Sequence, residues 1–187
     1  SFLERRRKDM AGKVAIPMEM KSVANVMGRE TLAGITEQQL VDAVPMLKGK
    51  VSDRAILRAF HFVYENKRVA DAVQALRTGD IDRFLKTVIA SGESSWKLLQ
   101  NLYVPRSDNQ EMPLALELSR QMLEGRGAWR IHGGGFAGTI LAFVPKDRLE
   151  AYRDRMDSVF GKGATTVLHV RKTGAECVLA ESLKGDR

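Results

Sequence analysis

The sequence predicts an α+β domain with N-terminal helices, residues 1–125, followed by a part with an antiparallel sheet, residues 126–187. Before residue 125, long stretches carry apolar residues at helical spacing. Two short apolar runs, 128–131 and 139–144, then flank a segment with four glycines in six positions. Such runs predict paired strands. Helices segregated to one face of an antiparallel sheet are typical of α+β folds.

The helices are expected in an order set by their caps and breakers. The first runs from about residue 4 to 26, bent near Pro17. The segment Thr36-Glu37-Gln38-Gln39 matches a capping box, and its helix is expected to stop at Val44, before Pro45. The remaining helices are expected over residues 53–77, 81–90, 111–123 and 147–160, with Ser91–Ser95 interrupting or weakening the pattern before it resumes over 96–102. Residues 164–170 and 175–179 are predicted to form the last two strands.

The composition is that of an ordinary globular domain. The apolar fraction is 44%, the net charge is +7, and Cys177 is the only cysteine, so no internal disulfide can form. Neither a membrane-spanning run nor a signal peptide is visible, which predicts a reducing, cytoplasmic location without a membrane partner. Because the chain opens inside a helical pattern, we expect it to be part of a longer protein.

The glycine run Gly133-Gly134-Gly135-Phe136-Ala137-Gly138 lies between the two predicted strands. Consecutive glycines lose much backbone freedom on folding, so they indicate positive φ or a close approach of backbone or ligand. Exposed N–H groups in such a turn can bind phosphate. A Rossmann site is excluded because a strand pattern, not a helix, follows Gly138, and no Walker A lysine follows the glycines. The alternative is a bulged hairpin turn without ligand.

Several segments together resemble one family, the galactokinases of the galactokinase–homoserine kinase–mevalonate kinase–phosphomevalonate kinase (GHMP) superfamily. The glycine run resembles the third motif of that superfamily. The segment Arg58–Arg68 resembles its helix carrying Arg, His, Glu and Arg, and Ala75–Asp80 resembles its Ala-Leu-x-x-Gly-Asp turn. Ser91–Ser95 resembles Ser-His-x-Ser, and Phe2–Arg7 resembles Tyr-x-x-Arg-Arg-Arg. The resemblance covers nearly the whole chain.

This resemblance implies the ferredoxin-like C-terminal domain of a GHMP kinase, which transfers the γ-phosphate of ATP to a monosaccharide, most simply to the 1-hydroxyl of galactose. The loop of Gly133, Gly134, Gly135, Phe136 and Gly138 would help close the phosphate site. Phe2 would stand where the family has a tyrosine near the sugar. ATP and Mg²⁺ would be held mainly by an N-terminal domain of the same chain, since no stretch here matches the family's catalytic aspartate or phosphate loop.

Other residues carry weaker signals, and two other functions stay open. Gly92 departs from the family's histidine, and Ala137 and Thr139 from its commoner glycine and cysteine. His61 is expected to be a structural core histidine, and His132 could contact phosphate. We expect no catalytic residue and no metal-binding cluster in this chain. The alternatives are a non-catalytic sugar sensor on the same fold and, less favoured, a basic nucleic-acid-binding module.

Overall fold

The computed structural model describes residues 2–102, 108–135 and 138–170, with side chains from residue 14 onward. The chain divides into two compact units, residues 1–152 and 153–187, with the boundary inside the last helix. The described elements are α1 (Phe2–Val26), α2 (Glu37–Leu47), α3 (Asp53–Thr78), α4 (Ile81–Ser94), a π-helix (Ser95–Leu99), α5 (Glu111–Leu123), β1 (Ala128–His132), β2 (Thr139–Phe143), a 3₁₀ turn (Lys146–Arg148) and α6 (Leu149–Phe160). The predicted α+β class is confirmed.

Helix α2 begins as predicted and ends later than predicted. The Gln39 amide donates to Thr36 Oγ1 at 3.2 Å and the Thr36 amide donates to Gln39 Oε1 at 2.9 Å, which completes the capping box. The expected stop before Pro45 is wrong, because the helix continues to Leu47. A proline removes only one helical hydrogen bond near the last turn, and full burial of Leu47 favours continuing the helix to that residue.

The first three helices share an apolar core. Ser52 caps α3 by accepting from the Ala55 amide at 3.1 Å, and Gly79 ends it with φ 71°. Helices α1 and α2 both pack on α3. The buried members of this core are Val23, Ala24, Leu32, Ile35, Leu40, Ala43, Leu47, Ala55, Ile56, Ala59 and Val63. Helix α3 also contacts α4 and the π-helix, so it is the central helix of this unit.

The serine-rich segment after residue 90 does not interrupt the helix. Helix α4 continues through Ser94 and passes directly into the π-helix, which ends at Gln100 with φ 57°. Ser91, Gly92 and Ser94 are buried. No break occurs at Ser91–Ser94, where the small residues allow α4 to pack closely on α3 and β1, but the regular α-helix changes to a π-helix at Ser95.

The two central strands form an antiparallel pair. Ala128 pairs with Phe143 and His132 pairs with Thr139, so the glycine run closes the hairpin. Helices α4 and α5 pack on this hairpin, and Phe84 meets Phe143 edge to face at 5.4 Å. The hairpin and these helices place the glycine turn, the segment between β1 and β2, at one end of the strands.

The second unit contains a correction. Residues 161–170 form no strand, and the predicted strand over 164–170 is therefore wrong; the one predicted over 175–179 lies outside the described residues. The amides of Gly163 and Thr165 donate to the Asp157 carboxylate at 2.9 and 3.2 Å. Because Asp157 accepts the Thr165 amide, that N–H is not available to a strand ladder.

Candidate functional site

The glycine turn joins β1 to β2 and combines positive φ angles with exposed backbone. Gly133 has φ 66° and Gly135 has φ 73°, a region that glycine enters without steric cost. His132, Gly133 and Gly134 are exposed, whereas Gly135 is buried. The predicted hairpin is therefore present. Phe136, a predicted member of the phosphate loop, lies outside the described residues; Gly138, the last member, is exposed.

Gly135 is the point where the turn touches the rest of the domain. An ideal Cβ at this position would lie 2.1 Å from the backbone oxygen of Asn101 and 2.7 Å from its Nδ2. Real Cβ atoms essentially never approach other atoms so closely. Gly133, in contrast, has nothing within 4 Å of its ideal Cβ. Glycine at 135 is thus required by conformation and by space together.

Asn101 lies two residues after the end of the π-helix and is only 2% exposed. The preceding Gln100 amide donates to Ser95 O at 2.8 Å, which closes the π-helix and turns the chain toward the glycine loop. Sequence reasoning missed Asn101. The sequence offered little signal, because Asn101 is one of three polar residues in the segment 96–102.

Four polar residues of α3 lie on one helical face. Their spacing of three, four and three residues places Arg58, His61, Glu65 and Arg68 in one row. The side chain of Arg58 is 3% exposed; its Nε donates to Leu99 O at 3.0 Å and its Nη1 pairs with Glu19 at 2.9 Å. The segment that resembles the family helix is therefore a polar seam that ties α3 to α1 and to the π-helix.

Glu65 is the acidic centre of that seam. It accepts a short hydrogen bond from Ser91 Oγ, pairs with Arg68 Nε at 2.7 Å and lies 3.5 Å from Arg130 Nη1 on β1. Burial alone would raise the pKa of Glu65, but these partners outweigh burial and lower it. Glu65 therefore remains a carboxylate and connects α3, α4 and β1.

His61 is a satisfied core histidine, as predicted. It is 7% exposed, and its Nδ1 lies 2.9 Å from Ser94 Oγ. Burial lowers the pKa of His61. The charge of Glu65 acts in the opposite direction, whereas the charges of Arg68 and Arg130 lower the pKa further. His61 is consequently neutral near pH 7 and holds α3 to α4.

This burial predicts a pH dependence of stability. The folded-state pKa of His61 lies below its usual 6.5, so the unfolded chain binds the proton first as the pH falls. Between pH 6.5 and about pH 5, above the usual carboxylate range, His61 should contribute a stability loss of up to about 1.4 kcal/mol per pH unit. Urea unfolding of wild type and His61→Gln should show a shallower pH slope for the variant. Identical slopes would contradict this assignment.

Gly92 lies against β1 at close range. Its ideal Cβ would be 3.0 Å from Arg130 Cβ and 3.1 Å from Trp129 O. The close approach of the α4 backbone to β1 favours glycine at position 92, because an added Cβ would require the strand to give way by a few tenths of an ångström.

Gly92→His should therefore destabilise the domain by about 1–3 kcal/mol, the usual cost of overpacking. Glu93→His is the matched control, since the neighbouring side chain is 46% exposed and pairs with Lys97. Urea midpoints of the two variants should differ clearly, with Glu93→His close to wild type. Equal midpoints would mean that α4 can move away from β1 at little cost.

A cavity of about 70 Å³ opens beside Gly92, between α4 and α5. Its charged lining residues already pair with protein groups: Glu93 with Lys97, Glu117 with Arg120 and Arg130 with Glu65. Both arginines among the described lining residues, Arg120 and Arg130, therefore already have a carboxylate partner. Among the described residues, no three His, Cys, Asp or Glu side chains are placed to hold a metal ion, and no helix has the length and apolarity to cross a membrane.

Phe2, the predicted sugar-binding residue, is the first residue of α1. Its side chain lies outside the described part of the chain. The proposed sugar contact therefore stays a prediction.

Comparison with known proteins identifies similar chains. No family model matches. The chain is 32% identical over 135 residues to the galactokinase of Mannheimia succiniciproducens and 28% identical over 135 residues to that of Glaesserella parasuis; each match covers 72% of this chain and 33% of the relative. It is 37% identical over 103 residues to a Haemophilus influenzae galactokinase, covering 55% of this chain and 25% of that one.

A solved structure agrees with these matches at the level of the fold. Lactococcus lactis galactokinase, complexed with galactose, superposes with a TM-score of 0.66 at 21% identity, covering 81% of this chain and 37% of that one. The chain thus spans about a third of the length of the curated relatives it matches. The matches fit a C-terminal fragment of a galactokinase and confirm the resemblance predicted from the sequence.

Proposed function

We propose that this galactokinase-like sugar kinase domain is the C-terminal part of an enzyme that transfers the γ-phosphate of ATP to a monosaccharide hydroxyl, with the 1-hydroxyl of galactose as acceptor. The observation that carries the proposal is the glycine turn, in a chain that matches galactokinases over 72% of its length. The turn is exposed at Gly133 and Gly134, and glycines leave their backbone open to a phosphate.

The residues present fit one wall of a nucleotide site. Positive φ at Gly133 and Gly135 with exposed backbone at Gly134 suits contact through N–H groups, and no side chain at 133 or 134 blocks the approach. ATP, when bound, supplies the phosphoryl group that is transferred. In the proposed complex, the turn binds and orients the phosphates and excludes water from them. We assign the catalytic base, and most of the contacts with ATP and Mg²⁺, to an N-terminal domain of the same chain.

The polar seam has a supporting part in this proposal. Arg130 leads into the turn along β1, and its guanidinium is held near Glu65 rather than free. Glu65 in turn is bonded to Ser91 and Arg68. The strand that carries the turn is therefore fixed to α3 and α4, and a fixed turn can present its backbone without reorganisation.

The decisive experiment compares the full-length protein with the 187-residue chain. Coupled measurement of ADP release with ATP, Mg²⁺ and galactose, glucose or N-acetylgalactosamine should show turnover of galactose by the full-length protein only. Turnover by the 187-residue chain would overturn the assignment of catalysis to the N-terminal domain. Galactose binding by the full-length protein without turnover of any sugar would favour the non-catalytic sugar sensor.

A further prediction concerns Phe2 in the full-length enzyme. If Phe2 occupies the family's tyrosine position, Phe2→Tyr adds a hydroxyl that can bond the sugar, worth about 0.5–1.5 kcal/mol. The KM for galactose should then change several-fold, while the KM for ATP stays within twofold. Equal changes in both KM values would make Phe2 a packing residue only.

A further inference from the structure

Asn101 is the buried polar side chain that lies directly against the glycine turn. It is 2% exposed, and its Oδ1 has no hydrogen-bond partner in the described part of the chain. Leaving a buried acceptor unpaired costs free energy, so an asparagine is a poor choice for filling space alone. An apolar side chain of similar size would avoid that cost.

The geometry shows what the carboxamide does contact. The atoms nearest to the ideal Cβ of Gly135 all belong to Asn101: its backbone oxygen, its Nδ2 and its Cγ, the last at 2.8 Å. His132, Gly133 and Gly134, by contrast, are exposed. Asn101 therefore occupies the space directly behind Gly135 and supports the turn from the protein side.

The support is itself rigidly placed. The Gln100 amide bonds to Ser95 O, and Leu102, on the other side of Asn101, is 1% exposed. The π-helix that leads to Asn101 packs on α3, where Leu99 O accepts from the buried Arg58. A π-helical turn costs stability and is found frequently at functional sites. Here the π-helix is followed by Asn101, which lies against Gly135 of the turn.

We propose that Asn101 is a positioning residue: it holds the turn at Gly135 in the conformation that binds phosphate, and its free Oδ1 completes that support when the phosphate site is assembled. This inference rests on the proposed kinase function. Asn101 acts through the turn and does not itself contact the transferred group.

The test uses the full-length protein with Asn101→Ala and Asn101→Leu, two variants that differ in how much space they fill. Both remove the carboxamide, and Asn101→Leu keeps a similar volume. Ser119→Ala is the control, because Ser119 is fully buried and bonded to Tyr152 at 2.8 Å in another part of the same unit. Amide hydrogen exchange across residues 128–139, thermal midpoint, kcat and both KM values are measured for each.

Both Asn101 variants should exchange amides of the turn at least tenfold faster and lose at least tenfold in kcat/KM for ATP, with the KM for galactose within twofold. Ser119→Ala should lower the thermal midpoint and leave exchange in the turn and kcat/KM unchanged. Wild-type exchange and kinetics in Asn101→Leu would reduce Asn101 to a packing residue and overturn the inference. If the wild-type protein phosphorylates no sugar and the Asn101 variants still exchange the turn amides faster, the positioning role is supported and the kinase function is refuted.

Discussion

Gly135→Ala in the full-length protein should lower kcat/KM for ATP at least tenfold, equivalent to about 1.4 kcal/mol of transition-state stabilisation. The new Cβ would lie 2.1 Å from Asn101 O, in a backbone conformation with φ 73° that alanine rarely adopts. Because the contact is with backbone, no rotamer change relieves it. The turn must therefore shift outward, toward the side where we place the phosphates.

Gly133→Ala is the comparison that adds backbone strain without a clash against Asn101. Gly133 also has positive φ, 66°, but nothing lies within 4 Å of its ideal Cβ. It should cost stability through backbone strain of about 1–2 kcal/mol without the outward shift. Thermal midpoint and kcat/KM measured on both variants separate strain from displacement.

Gly134→Val tests the phosphate contact from the exposed side of the turn. Gly134 is exposed, so a valine there would project where ligand is proposed to bind. We expect kcat/KM to fall at least tenfold with cooperative melting retained. If the turn is only a bulged hairpin, the variant will instead be less stable and fully active per folded molecule, and that result would refute the functional interpretation of the glycine run.

The sequence predicted the elements whose signals are local. The capping box at Thr36, the start and end of α3, and the paired runs around the glycines each depend on residues a few positions apart. The order of helices and strands therefore followed from the sequence, and the resemblance in motifs pointed to the galactokinases.

The errors arose where tertiary packing outweighs local preference. Pro45 was expected to end α2, and the serines after residue 90 to interrupt α4; in both places burial of neighbouring residues favours the longer helix. Asn101 was missed for the same reason. Its role depends on Gly135, 34 positions further along the chain, and no periodicity connects them.

The polar seam was visible in sequence only as a row of residues on α3. Its partners come from α1, α4 and β1, and a helical period cannot identify them. The structure shows that Glu19 on α1 pairs with two arginines of α3, one buried and one half exposed. This asymmetry allows the energetic weight of burial to be measured directly.

Glu19→Gln should destabilise the domain by about 3 kcal/mol, the lower end of the range for breaking a buried pair, because Glu19 remains 18% exposed. Arg58, 3% exposed, would then keep its charge without a carboxylate. For a chain of this size the thermal midpoint should fall by roughly 6–12 °C. Burial would raise the pKa of Glu19, but the hydrogen bond from Arg54 and the charge of Arg58 outweigh it and lower that pKa.

Arg54→Met is the matched control for this pair, because it removes the other partner of the same carboxylate at a side chain that is 47% exposed. An exposed ion pair contributes less than about 1 kcal/mol, so this variant should unfold close to wild type in urea. Glu19→Gln should therefore lose more stability than Arg54→Met, since both break a bond to Glu19 and only the first leaves a buried charge unpaired. Equal losses would show that the Arg58 guanidinium finds compensation elsewhere, and that the seam does not depend on α1.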